Sequence, residues 1–316
     1  MIKVDLITGF LGSGKTTFLK RYARFLLGRG QRIGILENDC GAVNIDMLLL
    51  SELEGENCGL EMVAGACGAD CHRRRFKTKL IALGMSGYDR VIIEPSGVFD
   101  IDEFFDTLYE PPLDRLYEIG SVIAVADAAL CEGLSDSAQY LLASQTANAG
   151  AVVLSKTQLV SEDERESAIE RIEAALKRVK CGKNLRDIII SKDWSTFTDD
   201  DFERIMNCGY ESTSFVKRST ADDLGFGSVY IMNQSFTADE FAEISKAVFA
   251  DRSCGKVFRI KGFARSDSGW IEFNATSEAA EIHPAAHGQE IVIVIGENLN
   301  KDKIRYIFGR KQQIQS

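Results

Sequence analysis

Residues 1–17, MIKVDLITGFLGSGKTT, leave this chain few folds to choose from. Ile2, Val4, Leu6 and Ile7 make a short apolar run suited to a buried parallel strand, and a turn opens at Gly9. Gly9-x4-Gly14-Lys15-Thr16 is the P-loop pattern, and it leads into a helix predicted over Thr17–Leu27. The spacing has a chemical reason. Gly9, Gly12 and Gly14 let the backbone turn its N–H groups inward, where a Cβ would hold phosphate oxygens off. Lys15 brings a point charge to the β- and γ-phosphates, and Thr16 offers its hydroxyl to Mg²⁺. Ser13 and Thr17 complete the binding set at the helix N-terminus, whose dipole favours an anion. The stretch reads as a nucleoside triphosphate site.

With 316 residues the chain can bury a large core and hold two domains. A net charge of -10 argues against nucleic acid or an anionic membrane as partner, since both would be repelled. No apolar stretch reaches spanning length, and the N-terminus enters its first strand without a signal peptide's regions. A cytoplasmic location is therefore expected, and the eight cysteines are expected as thiols. Four of them, Cys40, Cys58, Cys67 and Cys71, crowd into one short stretch.

Further along, continuous apolar runs at Ile33–Leu36, Arg90–Ile93, Ser121–Ala126, Ala151–Leu154 and Ile188–Ile190 alternate with helical patterns. Those helices are predicted at Arg73–Leu83, Ile101–Tyr109, Ser137–Asn148 and Glu162–Val179. The alternation predicts an α/β fold, a P-loop NTPase parallel sheet with helices on both faces, over residues 1–210. A polar stretch, 211–227, reads as a linker, and 228–316 as a smaller α+β C-terminal domain. Its strands are expected at Val229–Phe236, Lys256–Ala264, Trp270–Ala275 and Ile291–Ile295, with helices near Asp239–Phe249 and Lys301–Phe308.

A P-loop site needs a second acidic group near the metal. The apolar run Val91-Ile92-Ile93 leads to Glu94-Pro95-Ser96-Gly97, placing a carboxylate there and, at Gly97, a backbone N–H free to approach a γ-phosphate. Glu94 is expected to hold Mg²⁺ or to orient the attacking water.

GFLGSGKTT, Glu37-Asn38-Asp39-Cys40-Gly41 with Ile45-Asp46, Glu61-Met62-Val63-Ala64-Gly65 and Glu94-Pro95-Ser96-Gly97 together resemble the CobW-like family of P-loop GTPases, relatives of UreG and HypB. The stretch Gly255–Phe263 is similar to the opening strand of that family's C-terminal domain. The resemblance implies Mg²⁺-dependent GTP hydrolysis and delivery of a transition metal or metal cofactor to a client metalloprotein or corrinoid protein. A nucleotide-dependent dimer is a further expectation.

The chain departs from the family pattern at three places. In the segment after the second strand, Cys40 replaces an aromatic residue and Ala42 a glutamate, while Asp39 and Asp46 keep a metal-linked, γ-phosphate-responsive role. At the metal motif the family's G-C-x-C-C becomes Gly65-Ala66-Cys67-Gly68-Ala69-Asp70-Cys71-His72. Cys67, Cys71 and His72 suit Zn²⁺, Co²⁺ or Ni²⁺, with Cys40 or Cys58 available to complete a tetrahedral set, or else the cysteines are buried thiols. The basic run Arg73–Lys79 follows, as a solvated helix face or a dock for an acidic partner. At the base-reading position, N-K-x-D becomes Ser155-Lys156-Thr157-Gln158. Lys156 can still pack along the base, but losing the carboxylate costs guanine about 1.5–3 kcal/mol, so GTP is favoured with ATP as the alternative. His283 and His287 flank Pro284 and read as loop residues. A slow, metal-delivering GTPase with Lys15, Asp39 and Glu94 at its catalytic centre is the resulting expectation. The alternatives are a nucleotide-dependent switch or reactivase that carries no ion, and a small-molecule kinase.

Overall fold

The computed structural model describes all residues except 39–44, 64–68, 98–100, 131–133, 214–224, 267–268, 278, 286–287 and 310–316. The chain divides into two units, Met1–Ser219 and Thr220–Ser316.

In the first unit, β1 (Ile2–Thr8), β2 (Ile33–Asn38), β3 (Cys58–Val63), β4 (Arg90–Pro95), β5 (Tyr117–Asp127), β6 (Ala151–Ser155) and β7 (Ile189–Ile190) form one sheet in the order β3-β2-β4-β1-β5-β6-β7. Every pairing in it is parallel. Every residue of β2, β4 and β6 is buried, so both faces of the sheet are covered, which explains the unbroken apolar runs. On one face α1 (Lys15–Gly28) lays Phe18, Leu19, Tyr22 and Leu26 over Ile7, Ile92 and Val125, joined by Phe202 and Ile205 of α8 (Asp199–Met206). The other helices of this unit are α2 (Ile45–Leu50), α3 (Ala69–Gly84), α4 (Ile101–Leu108), α5 (Leu113–Leu116), α6 (Asp136–Ala147) and α7 (Glu162–Arg178). A capping box, Ser161 with Glu164, starts α7.

Two buried charges brace the middle of the sheet. Asp5 of β1 accepts from Arg90 Nη1 through both carboxylate oxygens at 2.6 Å, from Tyr22 Oη at 2.7 Å and from the Ser121 N–H at 2.8 Å. A Cβ on Gly120 would lie 2.3 Å from Asp5 Oδ1, so glycine alone fits beside that carboxylate.

The second unit is an antiparallel sheet in the order β11-β10-β9-β12-β8. Its strands are β8 (Phe226–Met232), β9 (Lys256–Ser266), β10 (Gly269–Ala275), β11 (Ala280–Ala285) and β12 (Ile291–Glu297). Helices α9 (Ala238–Ala250) and α10 (Lys301–Gly309) contribute Phe241, Val248, Ile304 and Phe308 to a core with Ile260, Phe273, Val292 and Val294. Phe241 stacks on Phe273 with centroids 4.1 Å apart.

Several sequence expectations change. α1 starts at Lys15, two residues earlier than expected, so Lys15 and Thr16 are helical. β3 was not anticipated: as an edge strand, four of its six residues are only half-buried, and Gly59 and Glu61 break any apolar run. β8 begins at Phe226, inside the stretch read as linker. His283 is a strand residue of β11, opposite Glu272, because Pro284 is tolerated on a sheet edge. His287 lies outside the described residues.

Candidate functional site

The carboxyl ends of β1, β2, β4 and β6 meet around the P-loop, the end of an open parallel sheet where ligands bind. The loop is drawn by its glycines: Gly9, Gly12 and Gly14 have φ of 146°, 79° and 91°. A Cβ on Gly9 would come within 2.1 Å of the Val125 carbonyl oxygen, so the loop lies against β5 with no room for a side chain. Lys15 Nζ curls back to the Gly9 carbonyl oxygen at 3.1 Å, within the concavity its ammonium would share with phosphates. Ser13 is buried and its Oγ has no partner among the described residues. Thr17 is exposed on the first turn of α1.

Thr16 and Glu94 come together: Thr16 Oγ1 donates to Glu94 Oε1 at 2.8 Å, joining the start of α1 to the end of β4. Glu94 is buried, and its Oε2 has no partner among the described residues. Burial, with Asp46 beside it, pushes its carboxyl up to about 7, against the opposing pull of Lys15, Thr16 and Glu37. Asp46, half-buried in the first turn of α2, thus faces the same place. A threonine hydroxyl next to an incompletely bonded buried carboxylate is an oxygen donor set suited to a hard cation such as Mg²⁺. Asp39 and Cys40 lie outside the described residues.

Four further residues contribute. Glu37 stands opposite Glu94 in the β2–β4 register and shares a side-chain hydrogen bond with it. Asn38, buried next to it, has neither amide atom bonded to a described residue. Gln145 of α6 donates from Nε2 to the Gly97 carbonyl oxygen at 2.9 Å. Gly97 is pressed to the P-loop, where a Cβ would lie 2.8 Å from the Leu11 nitrogen. The fourth, Trp194, follows β7: a Cβ on Gly14 would lie 3.4 Å from its Cη2 and 3.5 Å from Ser155 Cβ. Glu37 and Asn38 both belong to the motif Glu37-Asn38-Asp39-Cys40-Gly41. Gln145 and Trp194 reach the site across 48 residues to Gly97 and 173 to Arg21 respectively, with no local signal.

At the base-reading position, Ser155 is buried and donates to its neighbour strand at the Ala126 carbonyl oxygen, 3.3 Å away. Lys156 sits in the left-handed region at φ 56° with Nζ 2.5 Å from Asp127 Oδ2. Gln158 is exposed on the following turn.

Of the cysteine motif, Cys71 and His72 are among the described residues. Cys67 lies outside the described residues. Cys71 and His72 are consecutive on α3, so their side chains diverge around the helix, Cys71 half-buried and His72 buried. Cys58 opens β3 opposite Ile33, at the far end of the strand from Val63, so it stands at the other end of the sheet from Glu37 and Glu94. Burial raises its thiol to about 11. The basic run is partly neutralised within the chain: Arg73 and Lys77 pair with Glu110 at 2.5 and 2.8 Å, and Lys79 with Glu61 at 2.6 Å.

Residues 3–185 match the CobW/HypB/UreG nucleotide-binding domain, more than half of the chain. The zinc chaperone YjiA of Escherichia coli K12 is 29% identical over 174 residues, 52% of each chain, and the zinc chaperone YeiR of the same organism is 28% identical over 175. The match thus spans about half the length of these two relatives. The zinc-regulated GTPase metalloprotein activator 1 of Schizosaccharomyces pombe is 22% identical across 95% of this chain and 83% of its own. Among solved structures, a Zn(II)-bound YjiA GTPase from E. coli aligns over 97% of this chain and 98% of its own at 19% identity and a TM-score of 0.39. With the glycine cradle, the Thr16–Glu94 pair and the matched domain all in one place, the chain belongs to the CobW/HypB/UreG nucleotide-binding family.

Proposed function

We propose that this protein is a Mg²⁺-dependent GTPase that delivers a transition metal, zinc by analogy with its relatives, to a client metalloprotein. The observation that carries the reading is Glu94, a buried carboxylate bonded to the P-loop threonine with its second oxygen unpartnered among the described residues. Lys15 and the amides of 9–14 hold the phosphates, and Thr16 with Glu94 would hold Mg²⁺, which supplies charge neutralisation across the β- and γ-phosphates when bound. Gly97 presents its N–H toward the γ-phosphate, kept in place by Gln145. Glu94, with Asp46 beside it and Asp39 in the adjoining segment, orients water for in-line attack.

Nucleotide-dependent ordering of the segment between Asn38 and Asp46 transmits the state of the site to Cys67, Cys71 and the client surface. The metal is cargo, taken by Cys67 with Cys71 or His72. The G domain ends near residue 210 and the C-terminal α+β domain docks the client. The protein works in the cytoplasm, in keeping with the thiol state of all five described cysteines.

ATP is the second reading, supported by Ser155 being committed to Ala126 and by the lack of a carboxylate at Gln158. Phosphate release from GTP and from ATP, with Mg²⁺ or with a chelator, tests the first half. GTP hydrolysis that stops without Mg²⁺ and in Lys15→Ala is the expected result; no hydrolysis of either nucleotide by the wild type refutes it. Zinc uptake by the reduced protein tests the second half. About one ion bound by the wild type and none by a Cys67→Ser/Cys71→Ser double variant is expected. No uptake by either protein assigns the chain to the ion-free switch, and equal uptake by both overturns Cys67 and Cys71 as the ligands.

A further inference from the structure

Where the P-loop meets the end of β6 stands one aromatic side chain, Trp194. Trp194 sits four residues beyond β7, the neighbour of β6, and its Cη2 and Ser155 Cβ both lie within 3.5 Å of where a Gly14 Cβ would be. The backbone at Trp194 is pinned. Arg21 Nη1 donates to the Trp194 carbonyl oxygen at 2.9 Å, and the Asp193 side chain caps the turn through the Ser195 N–H at 2.8 Å. The ring is held differently. It meets Phe18 edge to face, with centroids 5.5 Å apart at 63°, and its buried Nε1–H has no partner among the described residues. An indole held by packing and only half-buried beside a phosphate loop leaves apolar surface that a ligand can cover.

We propose that Trp194 is the purine platform of this site. It carries the base by stacking, which every base permits, and so supplies affinity that Ser155 and Gln158 do not supply by reading the base edge. The pocket it makes accepts guanine and adenine within about tenfold of each other. This rests on the nucleotide reading given above, and deepens it by naming what sets base selectivity.

Calorimetric titration of the full-length protein with Mg²⁺ and three probes tests it: non-hydrolysable GTP and ATP analogues, and inorganic tripolyphosphate, which has no base. In the wild type the two analogues should bind within about tenfold of one another. Trp194→Ala should weaken both by roughly tenfold to a hundredfold while tripolyphosphate changes less than about twofold; Trp194→Phe should retain most of the affinity. In a Trp270→Phe background, which leaves Trp194 as the single indole, both analogues should change its fluorescence and tripolyphosphate should not. Should Trp194→Ala fail to fold, Trp194→Phe and the fluorescence measurement decide. Nucleotide affinity unchanged in Trp194→Ala overturns the platform. So does an equal loss for tripolyphosphate, a guanine preference beyond about a hundredfold, or an indole indifferent to the analogues. A wild type that binds none of the three probes removes the nucleotide reading itself, and the platform with it.

Discussion

Asp5 and Glu94 are buried carboxylates on adjacent strands of one sheet, and their surroundings are opposite. Asp5 receives four hydrogen bonds from three groups, one of them a guanidinium that balances its charge. Glu94 has a threonine hydroxyl, a shared bond with another carboxyl and a further acid nearby, and one of its oxygens has no described partner. The protein completes the first carboxylate itself, so that end of the sheet is closed. Among the described residues the second is left incomplete, with Glu37 and Asp46 as further acids beside it. A buried charge that the chain does not neutralise is where a cation or a proton belongs.

The sharpest way to break the contrast is at Asp5. Asp5→Ala leaves Arg90 buried without its counter-charge and should cost about 3–5 kcal/mol, read as a lower denaturant midpoint with an unchanged slope. Glu94→Gln should do the reverse. Stability of the nucleotide-free protein at pH 8 should hold or rise, by up to about 2–3 kcal/mol, while Mg²⁺-dependent hydrolysis falls at least about a hundredfold. A Glu94→Gln protein as active as the wild type would leave the open carboxylate without a purpose.

The pH dependence sharpens the same comparison, and its sign follows from the raised value. Unfolded, Glu94 loses its proton near 4.5, but folded it keeps it to about 7. Its contribution to stability is therefore fully present below 4.5 and is lost as pH rises through 7. Mg²⁺ competes with that proton, so apparent Mg²⁺ affinity should fall by up to about tenfold per pH unit below neutrality, and Glu94→Gln should flatten both profiles. The smallest expected effect is at Gln145. Gln145→Met removes one buried hydrogen bond to Gly97 and should cost about 1 kcal/mol, with a several-fold loss in triphosphate affinity relative to diphosphate. Equal losses for both nucleotides would make Gln145 a packing residue only.

What could be read from the chain follows the same division. The strand–loop–helix at the amino end, and the carboxylate at the close of β4, announce themselves through unbroken apolar runs and glycine spacing, because both faces of those strands are covered. The outer strands do not: β3 and β11 are half-exposed, carry Glu61 and Pro284, and have no clear periodicity. Asp5 stands in the sequence as one polar residue in an apolar strand, since its partners Arg90 and Ser121 are 85 and 116 positions away. Glu37 was visible as a residue, but its meeting with Glu94 depends on β2 lying next to β4. Strand order is a long-range property, and local sequence does not carry it.

Pro284 lies in the outermost strand of the antiparallel sheet, exposed to solvent with Glu281 and His283 close by. Lacking an amide hydrogen, it interrupts the row of donors that another molecule would need in order to extend the ladder. That margin is thereby poorly suited to templating fibrils, a safeguard of use to any protein that must stay dispersed when crowded. Replacing the proline with valine would restore a continuous, β-prone border, and turbidity on prolonged incubation would reveal the change.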